Sequence, residues 1–234
     1  MKKLLKKIIP FWFVMKFRKW HTNMKSSKFK KMNTKEIFTE IHNTNHWNSL
    51  ESISGLGSEI TQTENLIKDL EKLLNDFKIR SLLDIPCGDF NWMKKVNLSN
   101  IAYCGADIVE DLIKSNSNKF IDRNNLNFKV IDLICDALPT AEIIFIRDCL
   151  VHLSYDEIFK AIKNIKSSGC KYLLTTTFIK HRLNYDIVTG NWRPLNLQEN
   201  PFNFPNPILV INENFSEGSE YKDKSMALWE ICKI

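Results

Sequence analysis

Leu82-Leu83-Asp84-Ile85-Pro86-Cys87-Gly88-Asp89-Phe90 decides how this chain folds. Residues 81–85 are a short apolar run, the pattern of a buried strand. Pro86-Cys87-Gly88-Asp89 ends it, since proline and glycine punctuate regular structure. Upstream, Leu66, Ile67, Leu70, Leu73, Leu74 and Phe77 recur at helical spacing behind Thr63-Glu64, with Lys and Asp between them. A helix therefore feeds a buried strand, and the strand ends in a tight turn.

The same rhythm continues downstream. A helix is expected from Asn91-Trp92-Met93, a strand over residues 101–107 and a helix over 109–118. Strands follow over 128–132 and 143–146. Ser154 and Glu157 stand three apart, a capping-box spacing, and open a helix running to Lys166. Residues 172–178 read as a fifth strand. Strands alternating with helices argue for parallel βαβ units in a doubly wound sheet. The tail breaks the rhythm. Residues 208–212 and 226–232 are strand-like with a polar turn between them, the pattern of a closing hairpin at the sheet edge. The expected fold class is α/β: a Rossmann-like, doubly wound, mainly parallel seven-stranded sheet that ends in an antiparallel hairpin.

Composition excludes other classes. The chain has 234 residues, 44% of them hydrophobic and 26% charged, with seven Gly and seven Pro. Disordered, collagen-like and low-complexity proteins do not look like this. The net charge of +6 is unevenly placed. Residues 1–35 hold 12 of the 33 basic side chains and no acidic one, so the remainder has 21 basic against 27 acidic, a net −6. A basic arm on a mildly acidic body disfavours nucleic acid as a partner.

Within the arm, Ile8-Ile9-Pro10-Phe11-Trp12-Phe13-Val14-Met15 is too short to span a bilayer, which takes about 20 apolar residues. Lys16, Arg18 and Lys19 follow directly and no small-residue cleavage site appears, unlike a signal peptide. Aromatic rings interleaved with cations suit residues 1–20 to an anionic membrane surface, or to a helix packed on the domain with lysines outward. The expected organisation is a basic amphipathic arm and linker over 1–45, the linker running into a short helix near residues 35–42, and one domain over 46–234. The six cysteines are scattered, with neither CxxC pairs nor zinc-ligand spacing, so no metal is expected and a reducing, cytoplasmic setting fits.

In open α/β sheets, ligands bind at the carboxyl ends of the strands. There the sequence places Asp84, Asp107, Asp132 and Asp148, the last beside Arg147 and followed by His152. Carboxylates resist burial, so four in series point to a ligand rich in hydroxyls and amines, although any one of them also suits a helix N-cap.

From Leu82 to Phe90, through the acidic ends of the second and third strands, to the final hairpin, residues 46–234 resemble class I S-adenosylmethionine (SAM) dependent methyltransferases. The first motif departs from the usual three glycines: Pro86 and Phe90 hold the outer positions and only Gly88 is kept. The resemblance implies that Asp84 and the turn Pro86, Cys87 and Gly88 face the amino acid part of SAM. It implies that Asp107, with Ile108, takes the ribose hydroxyls, and that Asp132 takes the adenine amino group with Leu133 against the ring. Arg147 and Asp148 complete the cofactor set, and the product is S-adenosylhomocysteine (SAH). Gly88 lacks the GxGxxG spacing of a dinucleotide loop.

A narrower resemblance lies in Trp47, Ser52, Ser54-Gly55-Leu56-Gly57-Ser58, Arg147-Asp148-Cys149-Leu150-Val151-His152-Leu153 and Gly190-Asn191-Trp192-Arg193-Pro194-Leu195-Asn196-Leu197 through Pro201-Phe202. These look like a small bacterial methyltransferase subgroup tied to capsule and surface polysaccharide, including O-methyl phosphoramidate decoration. The acceptor implied is a glycan component or its nucleotide-linked precursor, with the enzyme cytoplasmic and peripheral on the inner membrane face.

The long Pro-containing loop 180–207 is the expected acceptor-binding segment. Arg193 is a candidate anion clamp, with Trp192, Asn196, Trp47, Ser58 and Arg147 also toward the acceptor. Alternatively the loop's aromatics only cap the sheet. His152 is the candidate general base, with Asp148 four residues earlier to orient it if the segment is helical, or else a buried histidine satisfied by a carbonyl. RNA methylation and a non-catalytic SAM-binding, membrane-associated module are the competing functions.

Overall fold

The chain is described by a computed structural model covering residues 27–215, 218 and 221–234. The strands are β1 (Ser81–Asp84), β2 (Ala102–Asp107), β3 (Leu126–Val130), β4 (Ile143–Ile146), β5 (Tyr172–Phe178), β6 (Leu209–Asn212) and β7 (Lys224–Glu230). They form one sheet in the order β3-β2-β1-β4-β5-β7-β6. The first five run parallel to one another. β7 pairs antiparallel with both β5 and β6. The expected seven-stranded, Rossmann-like sheet with an edge hairpin is the one that forms.

The core divides by the two-residue period of the strands. Leu83, Ile144, Ile146 and Leu173 face one side, where α4 (Tyr155–Ser167) lays down Ile158, Ala161, Ile162 and Ile165. Leu82, Ile143, Phe145 and Leu174 face the other, against Leu66, Leu70, Leu73 and Leu74 of α2 (Ile60–Asp76). Each such side chain contributes about 1.5–3 kcal/mol on burial, which fixes the register of the central strands. α3 (Glu110–Lys119) follows β2. The capping box of α4 is present: Ser154 accepts from the Glu157 backbone N–H, and the Glu157 side chain accepts from that of Ser154.

Three local expectations change. Asn91-Trp92-Met93 leads into a single 3₁₀ turn, Met93–Lys95. Trp92, Met93, Val96 and Leu98 are buried while Lys94, Lys95 and Asn97 are exposed, and the turn ends where the Val96 backbone becomes extended. β3 stops at Val130, which puts Asp132 in the turn beyond the strand. The short helix expected near residues 35–42 forms as α1 (Thr34–Asn43), capped by Asn33 and Glu36, and what changes is its assignment to a linker. Ile37 and Ile41 are buried with Phe29, and Phe38, Trp47 and Val188 pack against them. The folded body therefore takes in residues N-terminal to 46. The expectations for residues 1–20 lie outside the described residues. Among the described residues, no helix is long and apolar enough to cross a membrane.

Candidate functional site

Strands β2 and β4 leave β1 in opposite directions, the switch point at which open sheets bind ligands. A cleft of about 1090 Å³, open mouth included, lies there. Asp84, Pro86, Cys87, Gly88, Asp107, Ile108, Asp132, Leu133, Arg147 and Asp148 all line it, as do His152, Trp47 and Ser58.

The turn after β1 is shaped by its neighbours. Gly88 has φ +55°, and a Cβ there would come within 2.2 Å of Ser54 Oγ, so the close approach demanding glycine is to the 49–58 loop. Phe90, where the family has glycine, also has positive φ, 58°. Its ring packs on Tyr103, Phe120 and Phe128 at centroid distances of 5.1, 4.9 and 5.3 Å. Aromatic burial of this kind offsets the roughly 1–2 kcal/mol cost of left-handed backbone. Asp89 accepts from Ser52 Oγ at 3.0 Å and from the Ile53 N–H at 3.0 Å, clasping that loop to the turn.

The strand-end carboxyls differ in state. Asp84 is buried and accepts from the Tyr103 hydroxyl at 2.6 Å. Burial raises its pKa to about 8 in spite of that hydrogen bond. Asp107 accepts from the Gly88 N–H at 3.0 Å and the Val109 N–H at 2.9 Å, one on each oxygen. Burial lifts it to about 6, and these two hydrogen bonds limit the rise. Each oxygen keeps a further acceptor position. Asp132 accepts from the Ile134 N–H at 2.8 Å. Burial pushes the Cys87 thiol well above its usual range, so it lines the cleft as an inert group.

At the end of β4, two cations and two anions neutralise one another. Arg147 pairs with the fully buried Glu213 and donates to the Gly57 carbonyl at 2.7 Å. Burial lowers the Arg147 pKa, but the Glu213 and Asp148 carboxylates outweigh it and raise it overall. Asp148, with φ +52°, is ion-paired with Lys224. Burial works to raise the Asp148 carboxyl, yet Lys224 and Arg147 prevail and lower it. Asp148 therefore does not orient His152 through a hydrogen bond. Leu150–His152 is a 3₁₀ turn, so the four-residue offset of an α-helix does not apply. His152 Nδ1 instead meets the Asn191 carbonyl oxygen at 2.9 Å. A carbonyl only accepts, so Nδ1 carries the proton and neutral His152 keeps Nε2 as an acceptor. Burial lowers its pKa and keeps it neutral. The Trp47 ring lies 5.4 Å from the His152 ring, centroid to centroid.

The acceptor residues expected in loop 180–207 turn inward. Arg193 is fully buried, and its guanidinium donates to the Val151 carbonyl at 3.1 Å beneath the Tyr155 ring. Burial lowers it to about 10. It holds the His152 turn and lies outside the cleft lining, so it is not an anion clamp there. Asn196 is buried and donates to the Ile179 and His181 carbonyls, stapling the loop. Trp192 packs between Phe178 and Tyr221, away from the cleft lining. These three side chains organise the loop.

The sequence marks α1 as a helix but not as a wall that brings Thr34, Phe38 and His42 to the cleft, and it does not mark Glu213 and Lys224. The apolar spacing of Ile37, Phe38 and Ile41 was the available signal for α1. No local signal marks Glu213 or Lys224, whose partners are 66 and 76 residues away.

No protein-family model and no curated protein sequence matches this chain. Solved structures do match in fold. Magnesium protoporphyrin IX methyltransferase (ChlM) of Synechocystis PCC 6803, solved with bound SAM, aligns over 85% of this chain and 97% of its own, at 12% identity and a TM-score of 0.57. The methyltransferase domain of bacterial CtHen1 aligns over 74% and 98%, at 12% identity and 0.55. The N-methyltransferase NodS of Bradyrhizobium japonicum WM9, in complex with SAH, aligns over 72% and 87%, at 12% identity and 0.53. The likeness is one of fold: the chain has the Rossmann-like fold of these methyltransferases.

Proposed function

We propose that this protein transfers the methyl group of SAM to an oxygen of a surface-polysaccharide component or its nucleotide-linked precursor. The observation carrying the cofactor half is the charge of the cleft. Among the described lining residues are five carboxyl groups, Asp84, Asp89, Asp107, Asp132 and Asp148, and one guanidinium, Arg147; Glu213 neutralises Arg147, Lys224 neutralises Asp148, and Asp84 ionises when a cation comes beside it. Such a lining suits a ligand that brings positive charge, hydroxyls and amines. SAM has a sulfonium, an ammonium, a ribose diol and an amino-bearing base.

The donor set fits that group. Asp84 and the turn at residues 86–88 hold the amino acid part. Asp107 takes the ribose through the acceptor positions its two backbone partners leave open. Asp132 takes the adenine amino group and Leu133 packs on the ring. When bound, SAM supplies an electrophilic methyl carbon on sulfur. The chain aligns the acceptor oxygen with it and excludes water, using Trp47 and Ser58 on the acceptor side. His152 takes the proton of a hydroxyl acceptor at Nε2, and the Asn191 carbonyl holds the ring in the required tautomer. A phosphoramidate oxygen, already anionic, needs no such base.

The glycan half rests on the resemblance of residues 147–153 and 190–202 to the capsule-associated subgroup. Attachment to an anionic membrane surface rests on the composition of residues 1–20, and liposome co-sedimentation with and without those residues tests it. The deciding experiment has two stages. Calorimetry with SAM and SAH comes first, and an absence of heat from both would overturn the cofactor assignment. Labelled methyl transfer to nucleotide-sugars, nucleotide phosphoramidates and extracted glycans follows. Transfer to RNA alone would overturn the glycan assignment.

A further inference from the structure

Glu157 stands out because its capping role uses only part of what it holds. The capping box accounts for Ser154, whose N–H lies 3.3 Å and whose hydroxyl lies 3.1 Å from Glu157 Oε2. The same Oε2 also accepts from the Thr189 hydroxyl. The other oxygen, Oε1, accepts from the Thr34 hydroxyl at 2.5 Å, 123 residues away in the chain. Thr34 is the first residue of α1 and lines the cleft with Phe38 and His42 of the same helix.

Thr189 opens the strap that fixes His152. The Thr189 hydroxyl accepts from the Ser154 N–H at 2.9 Å. Gly190 then donates its N–H to the His152 carbonyl at 2.9 Å, and the next carbonyl, that of Asn191, receives His152 Nδ1. Two residues on, the Arg193 N–H bonds the Val151 carbonyl at 3.1 Å. One carboxylate thus ties two parts of the cleft that share no element. Through Oε1 it docks the α1 wall, and through Oε2 it sets the strap that orients the candidate base.

We propose that Glu157 is a positioning residue that serves as a common anchor, holding α1 over the ligand cleft through Oε1 and the strap that orients His152 through Oε2. This rests on the function proposed above for its consequence in catalysis. The shared anchoring itself is a property of the fold and has readouts that need no activity.

The test uses the full-length protein with Glu157→Ala, Glu157→Gln, Thr34→Val and Thr189→Val. Two quantities are read by NMR: the titration of the His152 ring and the hydrogen exchange of amides in residues 37–43. The charged groups near that ring are Asp148, Arg193 and Lys224, and none of them is altered in any variant. The Asn191 hydrogen bond raises the His152 pKa, so loosening the strap lowers it further. Thr189→Val is expected to lower that pKa by roughly half a unit or more, with α1 exchange unchanged. Thr34→Val is expected to speed α1 exchange about tenfold, with His152 unchanged. Glu157→Ala should do both. Glu157→Gln, which keeps hydrogen-bonding atoms at both positions, should restore most of each.

The common anchor is overturned if Glu157→Ala moves only one readout, or neither, or if Gln behaves like Ala. If Glu157→Ala fails to fold, the two threonine variants decide: an effect of either on the wrong readout, or no effect of either, overturns the proposal. SAH calorimetry on the unmodified protein separates this from the functional reading. An unmodified protein that does not bind SAH ends the cofactor assignment, while the two NMR readouts still judge Glu157.

Discussion

The two rims of the cleft use polar side chains in opposite ways. On the rim made by the ends of β1, β2 and β3, Asp84, Asp107 and Asp132 all line the cleft, and backbone N–H groups hold Asp107 and Asp132 in place. On the rim served by loop 180–207, Arg193 and Asn196 point into the protein and bond carbonyls, and what that loop gives the cleft is the Asn191 carbonyl on His152. The difference follows from length. A strand end is fixed by its sheet and leaves its side chain free for a ligand. A long loop has many backbone carbonyls to satisfy, and its polar side chains are drawn inward to satisfy them.

The largest effect expected is at His152. His152→Gln should lower transfer to a hydroxyl acceptor about 10²-fold or more and leave transfer to a phosphoramidate oxygen within a few-fold, as steady-state kinetics on both acceptor types would show. Equal losses on both would mean that the strap positions the acceptor and not a base. Next comes Arg193→Ala, expected to cost about 3 kcal/mol in chemical denaturation through a cavity and the lost side-chain hydrogen bond to the Val151 carbonyl. An unchanged stability with a raised KM for an anionic acceptor would break the contrast between the rims.

Asp107→Ala should weaken SAH binding roughly 30-fold by calorimetry, with Asp107→Asn in between. Asp84 gives a pH signature. Its pKa of about 8 in the free protein must fall when a cation binds beside it. Affinity for SAM should therefore climb about tenfold per pH unit on approaching pH 8 and then level, with a proton released on binding. Asp84→Asn should flatten that slope. Without ligand the sign for stability is the reverse. A raised carboxyl pKa contributes stability that is full below its ordinary value of 3.8 and is lost as pH rises through about 8. The smallest effect is at the clasp of the first turn. Ser52→Ala should cost about 1 kcal/mol in thermal unfolding and leave SAH affinity within twofold.

The rim at the ends of β1, β2 and β3 was legible because its signals are local. Asp84 ends an apolar run, Asp107 ends another, and Gly88 sits in the turn between strand and loop. Even the departures from the glycine motif have local company, since Phe90 finds Tyr103 and Phe128 on neighbouring strands. The rim served by loop 180–207 misled because Arg193, Trp192 and Asn196 have the chemistry of a binding loop, and that chemistry serves equally well to organise the protein's own backbone. Nothing near Arg193 in sequence tells which carbonyls it meets, since Val151 is 42 residues earlier. The α1 wall fell between these cases. Its apolar spacing was visible, but its place at the cleft is set with distant residues, among them Val188 in packing and Glu157 through a hydrogen bond to Thr34.

By itself the sequence determined the order of strands and helices, the closing hairpin and the row of carboxylates at the strand ends. Those follow from periodicity and from the geometry of parallel sheets, which carry every strand end to one side of the molecule. Only the tertiary structure decided which polar side chains face a ligand and which face the backbone. That choice is set by contacts between distant segments, where a buried carbonyl or carboxylate must find its partner, and the partner is fixed by packing and not by spacing along the chain.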